Sequence, residues 1–183
     1  MKHPFSNIPP GKMRYAFIPL LAATLVLMFV MNLAALPLET EAAPYGIISF
    51  ELAGSAAKSY QIIASWDESA RLHAAFNIGL DYLFLALYST TVGLACVWAG
   101  GVLKSRAVWL AAFGVPLAWG QWLAATLDAI ENTGLTLILF GGEAQFWAPV
   151  VRSAAIIKFA IIFVGLSYAF LGLVALWGMK PER

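Results

Sequence analysis

Four long apolar stretches, near Tyr15–Leu36, Leu72–Gly100, Ala107–Ile130 and Val150–Gly178, restrict the fold of this chain more than any other feature. Each is long enough to cross the ~30 Å hydrocarbon core of a bilayer at ~1.5 Å of helical rise per residue. In hydrocarbon every backbone N–H and C=O must find a partner within the protein, and stretches of this length do so as helices. The composition agrees. Hydrophobic residues make up 61% of the chain and charged residues 11%, against roughly 45–50% and 25% in soluble domains. The expected fold is an all-α membrane protein: one transmembrane domain over residues 1–183, built as a four-helix bundle.

Basic residues set the expected orientation. Lys2, Lys12 and Arg14 precede the first stretch, Lys104 and Arg106 link the second to the third, and Lys180 and Arg183 close the chain. The Pro37–Arg71 loop instead carries Glu39, Glu41, Glu51, Asp67 and Glu68 against Lys58 and Arg71. This bias predicts that both termini are cytoplasmic (N-in/C-in) and that the loop lies on the far side. The first stretch has a basic flank like that of a signal peptide. Its apolar run exceeds the usual core of about 7–15 residues, however, and Ala34-Ala35 is a poor cleavage site, so it is expected to stay as a helix.

The loop is too apolar for a simple connection. GIISFELA (Gly46–Ala53) and AAKSYQIIASW (Ala56–Trp66) read as short amphipathic pieces. Tyr60, Ile63 and Trp66 recur at helical spacing, which predicts either a helix lying on the membrane surface with Trp66 among the headgroups, or a cap packed over the bundle. Pro19 is expected in the first turns of helix one, Pro116 as a kink in helix three, and Pro149 as the first residue of helix four. The run GLTLILFGG after Asn132 can prolong helix three to about Phe140, tilt it, or fold it back. Trp66, Trp98, Trp109, Trp147 and Trp177 suit interfacial belts, whereas Trp119 and Trp122 lie deeper, in packing or lipid-facing roles.

Several classes of function are excluded or disfavoured. A net charge of +1 offers no footprint for nucleic acid. Cys96 is the only cysteine, so neither a disulfide nor a CxxC redox pair forms within one chain. Two histidines, His3 and His73, argue against bis-histidine haem or a zinc site in one subunit. Phosphate-loop and nucleophile-elbow motifs are missing. No cofactor and no metal are expected.

What remains is a set of polar residues inside the apolar stretches. An ionisable side chain in a bilayer costs several kcal/mol unless paired or hydrated. At ~100° per residue, Asn77, Asp81 and Tyr88 share a stripe, with His73 at its edge. Lys158 shares a face with Val151, Ala154, Ile162, Gly165, Ala169 and Gly172, and such small residues allow close helix approach. Aligned by depth, Asn32, His73, Asn77, Asp81, Gln121, Asp128, Glu131, Asn132, Arg152 and Lys158 all fall in the outer half. The expectation is one layer pairing Asp81 with Lys158 and a shallower one holding His73, Asp128, Glu131 and Arg152.

Two functions fit this pattern. In the first, His73, Asn77, Asp81, Gln121, Asp128, Glu131, Asn132, Arg152 and Lys158 line a pocket open to the outer side. That pocket, under a lid made by the first loop, binds a membrane lipid headgroup or small amphiphile, with acid–base chemistry by Asp81, Asp128 or Glu131 as an extension. In the second, the ion pairs only fix helix register. The chain is then a non-catalytic subunit or assembly protein with a protein partner or a second copy of itself. A proton-coupled carrier is disfavoured: four helices show no inverted repeat, and the inner half lacks a titratable relay.

LDYLFLALY (Leu80–Tyr88) and DAIEN (Asp128–Asn132), behind FELAGSAAKSYQIIASW, give the chain a resemblance to a group of small bacterial four-helix integral membrane proteins. It covers roughly Gly46–Asn132. The resemblance implies a bacterial inner membrane and acidic residues at these positions. It brings no activity, substrate or cofactor with it.

Overall fold

A computed structural model describes residues 3–177. Helix α1 spans Pro10–Ala35, α2 Ile47–Glu51, α3 Ala56–Ser65, α4 Glu68–Leu103, α5 Val108–Ala111, α6 Gly114–Leu139 and α7 Ala144–Trp177. No strand occurs among the described residues. Among the described residues four segments, Pro10–Leu38, Glu68–Leu103, Val108–Leu139 and Ala144–Trp177, are long and apolar enough to cross a membrane. The protein is an all-α membrane protein.

The prolines fall differently from expectation because the helices are longer. α1 begins at Pro10, so Pro19 sits inside it; α7 begins at Ala144, so Pro149 is interior as well. Pro116 interrupts the third span instead of kinking it. α5 ends at Ala111, and α6 restarts at Gly114 with Pro116 in its first turn, where a missing N–H is tolerated. GLTLILFGG carries α6 on to Leu139, and Gly141, at a φ of 86°, turns the chain.

The chain forms two compact units. Among the described residues, the first comprises 3–24, 87–125 and 159–177. Its core gathers Met13, Val92, Cys96, Ala99, Leu103, Ala118, Tyr168 and Ala175. The small-residue face of α7 points inward here: a Cβ on Gly172 would stand 2.7 Å from the Ala99 Cα, so only glycine lets these backbones meet. Gln121 donates from Nε2 to the Ile161 carbonyl at 3.2 Å. His3 packs among Phe5, Trp119 and Trp122, with ring centroids 4.5–4.8 Å away, and burial lowers its pKa.

The second unit comprises residues 25–86 and 126–158. Leu38, Phe50, Ile62, Trp66, Ala74, Ile78, Leu135, Ile138, Ala148 and Val151 belong to its core. The α2–α3 loop is therefore a cap on this core. α3 buries Ser59 and Ile62, while Tyr60 is 49% exposed. Trp66 is 2% exposed, donates from Nε1 to the Leu38 carbonyl at 2.9 Å, and meets Phe50 edge-on at 5.4 Å. An indole held this way is a core residue and does not serve as a headgroup anchor. Side-chain caps hold the ends in place: Ser55 Oγ accepts from Lys58 N at the start of α3, and Asp67 Oδ1 from Ala70 N at the start of α4.

Candidate functional site

On α6, Asp128, Glu131 and Asn132 stand at i, i+3 and i+4, which places them on one helix face. In the second unit this face meets Asp81 of α4 and Lys158 of α7. The Lys158 ammonium lies 2.5 Å from Asp128 Oδ1, in a hydrogen bond. It also lies 2.9 Å from Glu131 Oε2, an ion pair whose angle falls outside hydrogen-bond geometry. Asp128, Glu131 and Lys158 are 2%, 0% and 4% exposed. Asp81, expected on Lys158, instead accepts a hydrogen bond from Asn132 Nδ2 at 2.8 Å. The reason is the length of α6. With Leu139 as its last residue, more than two turns of ~3.6 residues follow Glu131, so Asp128 and Glu131 are not at a helix end and reach the ammonium first.

A further carboxyl comes from a residue that the sequence did not single out. Glu51, the last residue of α2, is 8% exposed, and its side chain reaches Glu131. Burial, first of all, raises the Glu51 pKa above its ordinary value; the Lys158 charge pulls it down, Asp128 pushes it up, and the hydrogen bond with Glu131 lowers it. Neither Glu51 Oε2 nor Glu131 Oε1 receives a hydrogen bond from a donor among the described residues. Two acceptor oxygens can bond only through a proton between them or through the donor of a ligand. The available signal was periodicity: Glu51 follows Ile47 by four residues, on the helix face that carries the apolar side chain.

Glu51, Asp81, Asp128 and Glu131 therefore share one electrostatic neighbourhood with one cation among the described residues, Lys158. Four ionised carboxylates and one ammonium would sum to −3. Uncompensated buried charge costs several kcal/mol per ion. Such a group is chemically suited to hold a proton or to receive a cation.

The remaining expected site residues do not converge on this group. His73 bonds through Nδ1 to the Ser69 carbonyl one turn earlier on its own helix, at 2.9 Å. Asn77 donates to the Met31 carbonyl at 2.8 Å and ties α4 to α1. Asn32 donates to Met28 O. Gln121 belongs to the first unit. Arg152 is exposed and lies over Gly54, where an added Cβ would stand 2.6 Å from its Cδ. The group is buried, and the first loop, expected as a lid, contributes Glu51 to it. Among the described residues no three His, Cys, Asp or Glu side chains form a set able to hold a metal ion. Comparisons with protein-family models, curated proteins and solved structures find no match to this chain.

Proposed function

We propose that this is a protein of the bacterial inner membrane, with both termini cytoplasmic, that binds a small amphiphile or lipid headgroup at the carboxyl group of its second unit. The observation that carries this reading is the excess of acid. The Asp128–Lys158 pair alone would hold α6 to α7. Adding Glu131 and Glu51 buries two further carboxyls, each with an oxygen that no protein donor reaches. A set that only held helices together would gain nothing from them, because unpaired buried charge destabilises. A set that completes itself with a ligand needs them.

The alternative, a scaffold or assembly protein, draws support from Asn77 and Gln121, whose amides donate to the carbonyls of neighbouring helices. The two readings part at Glu131→Gln. The change keeps the volume and removes one like charge from an acid-rich group, so the fold should tolerate it. Charge-assisted contacts to a ligand, roughly twice as strong as neutral ones, should be lost. Mass spectrometry of the full chain released gently from membranes should find a retained amphiphile on the parent protein and none on Glu131→Gln, with similar melting temperatures. A parent protein that carries nothing, with a variant that merely melts earlier, would establish the scaffold.

A further inference from the structure

The atoms left unpartnered in this group are carboxyl oxygens. Glu51 Oε2 and Glu131 Oε1 lack donors, and both residues are more than nine-tenths buried. The ammonium of Lys158 is already engaged by Asp128 and Glu131, and Arg152 stays outside on Gly54. A phosphate or carboxylate headgroup would meet carboxylates and, among the described residues of this group, no uncommitted cation. Resting on the amphiphile reading above, we infer that the ligand presents a protonated primary amine to Glu51 and Glu131, and that the segment Gly46–Gly54 is a lid that opens to admit it.

Three features support the amine. Its N–H groups supply the donors that the two orphan oxygens lack. Lys158 shows within the same group that an ammonium can sit between carboxylates there, 2.5 Å from Asp128 and 2.9 Å from Glu131. The carboxyls also do not form a metal-holding set.

The lid follows from the backbone. α2 has five residues and is bracketed by Gly46 and Gly54, at φ of 53° and 71°, the left-handed region that favours glycine. Between the two glycines the segment packs Phe50 into the core and buries Glu51.

The groups facing Glu51 are Asp81 of α4, Asp128 and Glu131 of α6, and Lys158 of α7. Burial favours the proton on Glu51. An arriving R–NH3+ takes that proton's place between the carboxyls, the proton leaves to solvent, and the charge of the group is unchanged. Amine binding therefore strengthens as pH rises. A free amine and an amine headgroup share this chemistry, and the two sources are separable by experiment.

The full chain in phosphatidylcholine nanodiscs is titrated with ethanolamine, with phosphatidylethanolamine and with phosphatidylglycerol, and the thermal midpoint is followed at pH 5 and pH 8. A ligand that binds only the folded state raises the midpoint saturably. Expected is a saturable rise with an amine probe, larger at pH 8, and weakened at least about tenfold by Glu51→Gln. A response to ethanolamine itself marks a small-molecule ligand; a response to the amine lipid alone marks a headgroup. Should Glu51→Gln fail to fold, Glu51→Asp keeps the charge but shortens its reach, and is expected to weaken binding while preserving the pH trend. A saturable response to phosphatidylglycerol that Glu131→Gln abolishes would overturn the amine and leave the amphiphile reading standing. No saturable response to any probe overturns both. Parental affinity in Glu51→Gln or Glu51→Asp overturns the role of the lid.

Discussion

Lys158 has two carboxylates within 2.9 Å, Asp128 and Glu131, and that Asp128 and not Asp81 is its partner can be measured. Lys158→Met would leave Asp128 and Glu131 buried without a counter-charge, a loss of about 3–5 kcal/mol for a broken buried pair. Adding Asp128→Asn should restore much of that stability, because the orphaned charge goes too. Adding Asp81→Asn should restore little, since Asp81 is bonded to Asn132. Unfolding in detergent across this double-mutant cycle decides the matter, and equal recovery by both changes would contradict the geometry described. Glu51 makes a second prediction, about pH. Its folded pKa is raised above the ordinary 4.5, so the folded state binds more protons than the unfolded one. Its contribution is thus full in acid and is lost as pH climbs from about 4.5 through the raised folded value. Parent protein without ligand should therefore melt progressively earlier over that range, and Glu51→Gln should flatten the decline. A variant with an unchanged slope would rule Glu51 out as the titrating group. Asp128, Glu131 and Lys158 were legible in the sequence because ionisable residues stand out inside apolar stretches. Glu51 was not, because an acid in a loop is unremarkable until tertiary packing buries it.

The same division between legible and hidden runs through the elements. The four long helices were readable from length and hydropathy, and the inward face of α7 from its small residues, since both signals are local. The pairing of Asp81 was not, because it depended on where α6 ends, and the apolar run after Asn132 is compatible with helix or turn. α2 and α3 are too short to be stable alone and take their form from the core they cover. The loop's buried face, with Ser59, Ile62 and Trp66, was therefore decided by packing. A glycine controls how firmly this cap is held. Alanine at Gly54 would have to keep a φ of 71°, at a cost of roughly 1–2 kcal/mol for an L-residue, and would displace Arg152, whose Nη1 lies 2.9 Å from the new Cβ. Gly54→Ala should therefore raise the population of the opened cap. Phe50 is 1% exposed, so chymotryptic cleavage beside it reports opening directly. Cleavage should accelerate several-fold in Gly54→Ala and stay unchanged in Gly79→Ala, where the new methyl has nothing within 4 Å. Equal rates in both variants would detach the cap from Gly54.

At the scale of the molecule, the exposed side chains are what a lipid phase requires. Phe29 and Leu33 on α1, and Phe163, Phe170 and Val174 on α7, are each more than half exposed, which water would penalise and acyl chains would not. Trp109 and Trp177, at 69% and 81% exposed, sit near helix ends, where aromatic side chains mark the interface. The direction of insertion proposed above rests on charge alone: Lys12, Arg14, Lys104 and Arg106 lie in segments separate in sequence from the acidic loop of Glu39, Glu41, Asp67 and Glu68, and positive residues tend to be retained on the cytoplasmic side. Single cysteines placed at Lys104 and at Glu41, both exposed positions, convert this into a measurement in which side of the membrane, and not burial, governs reactivity. The native thiol, Cys96, is fully buried and is replaced by alanine to remove it as a background. An impermeant maleimide added to whole cells should label the cysteine at 41 and leave the one at 104 unlabelled until the membrane is permeabilised. That pattern puts the cap bearing Glu51 on the outer side, where an amphiphile would arrive from the periplasm or the outer leaflet. Labelling at 104 and protection at 41 would turn the cap toward the cytoplasm, and the ligand would then have to come from the inner leaflet or the cell interior.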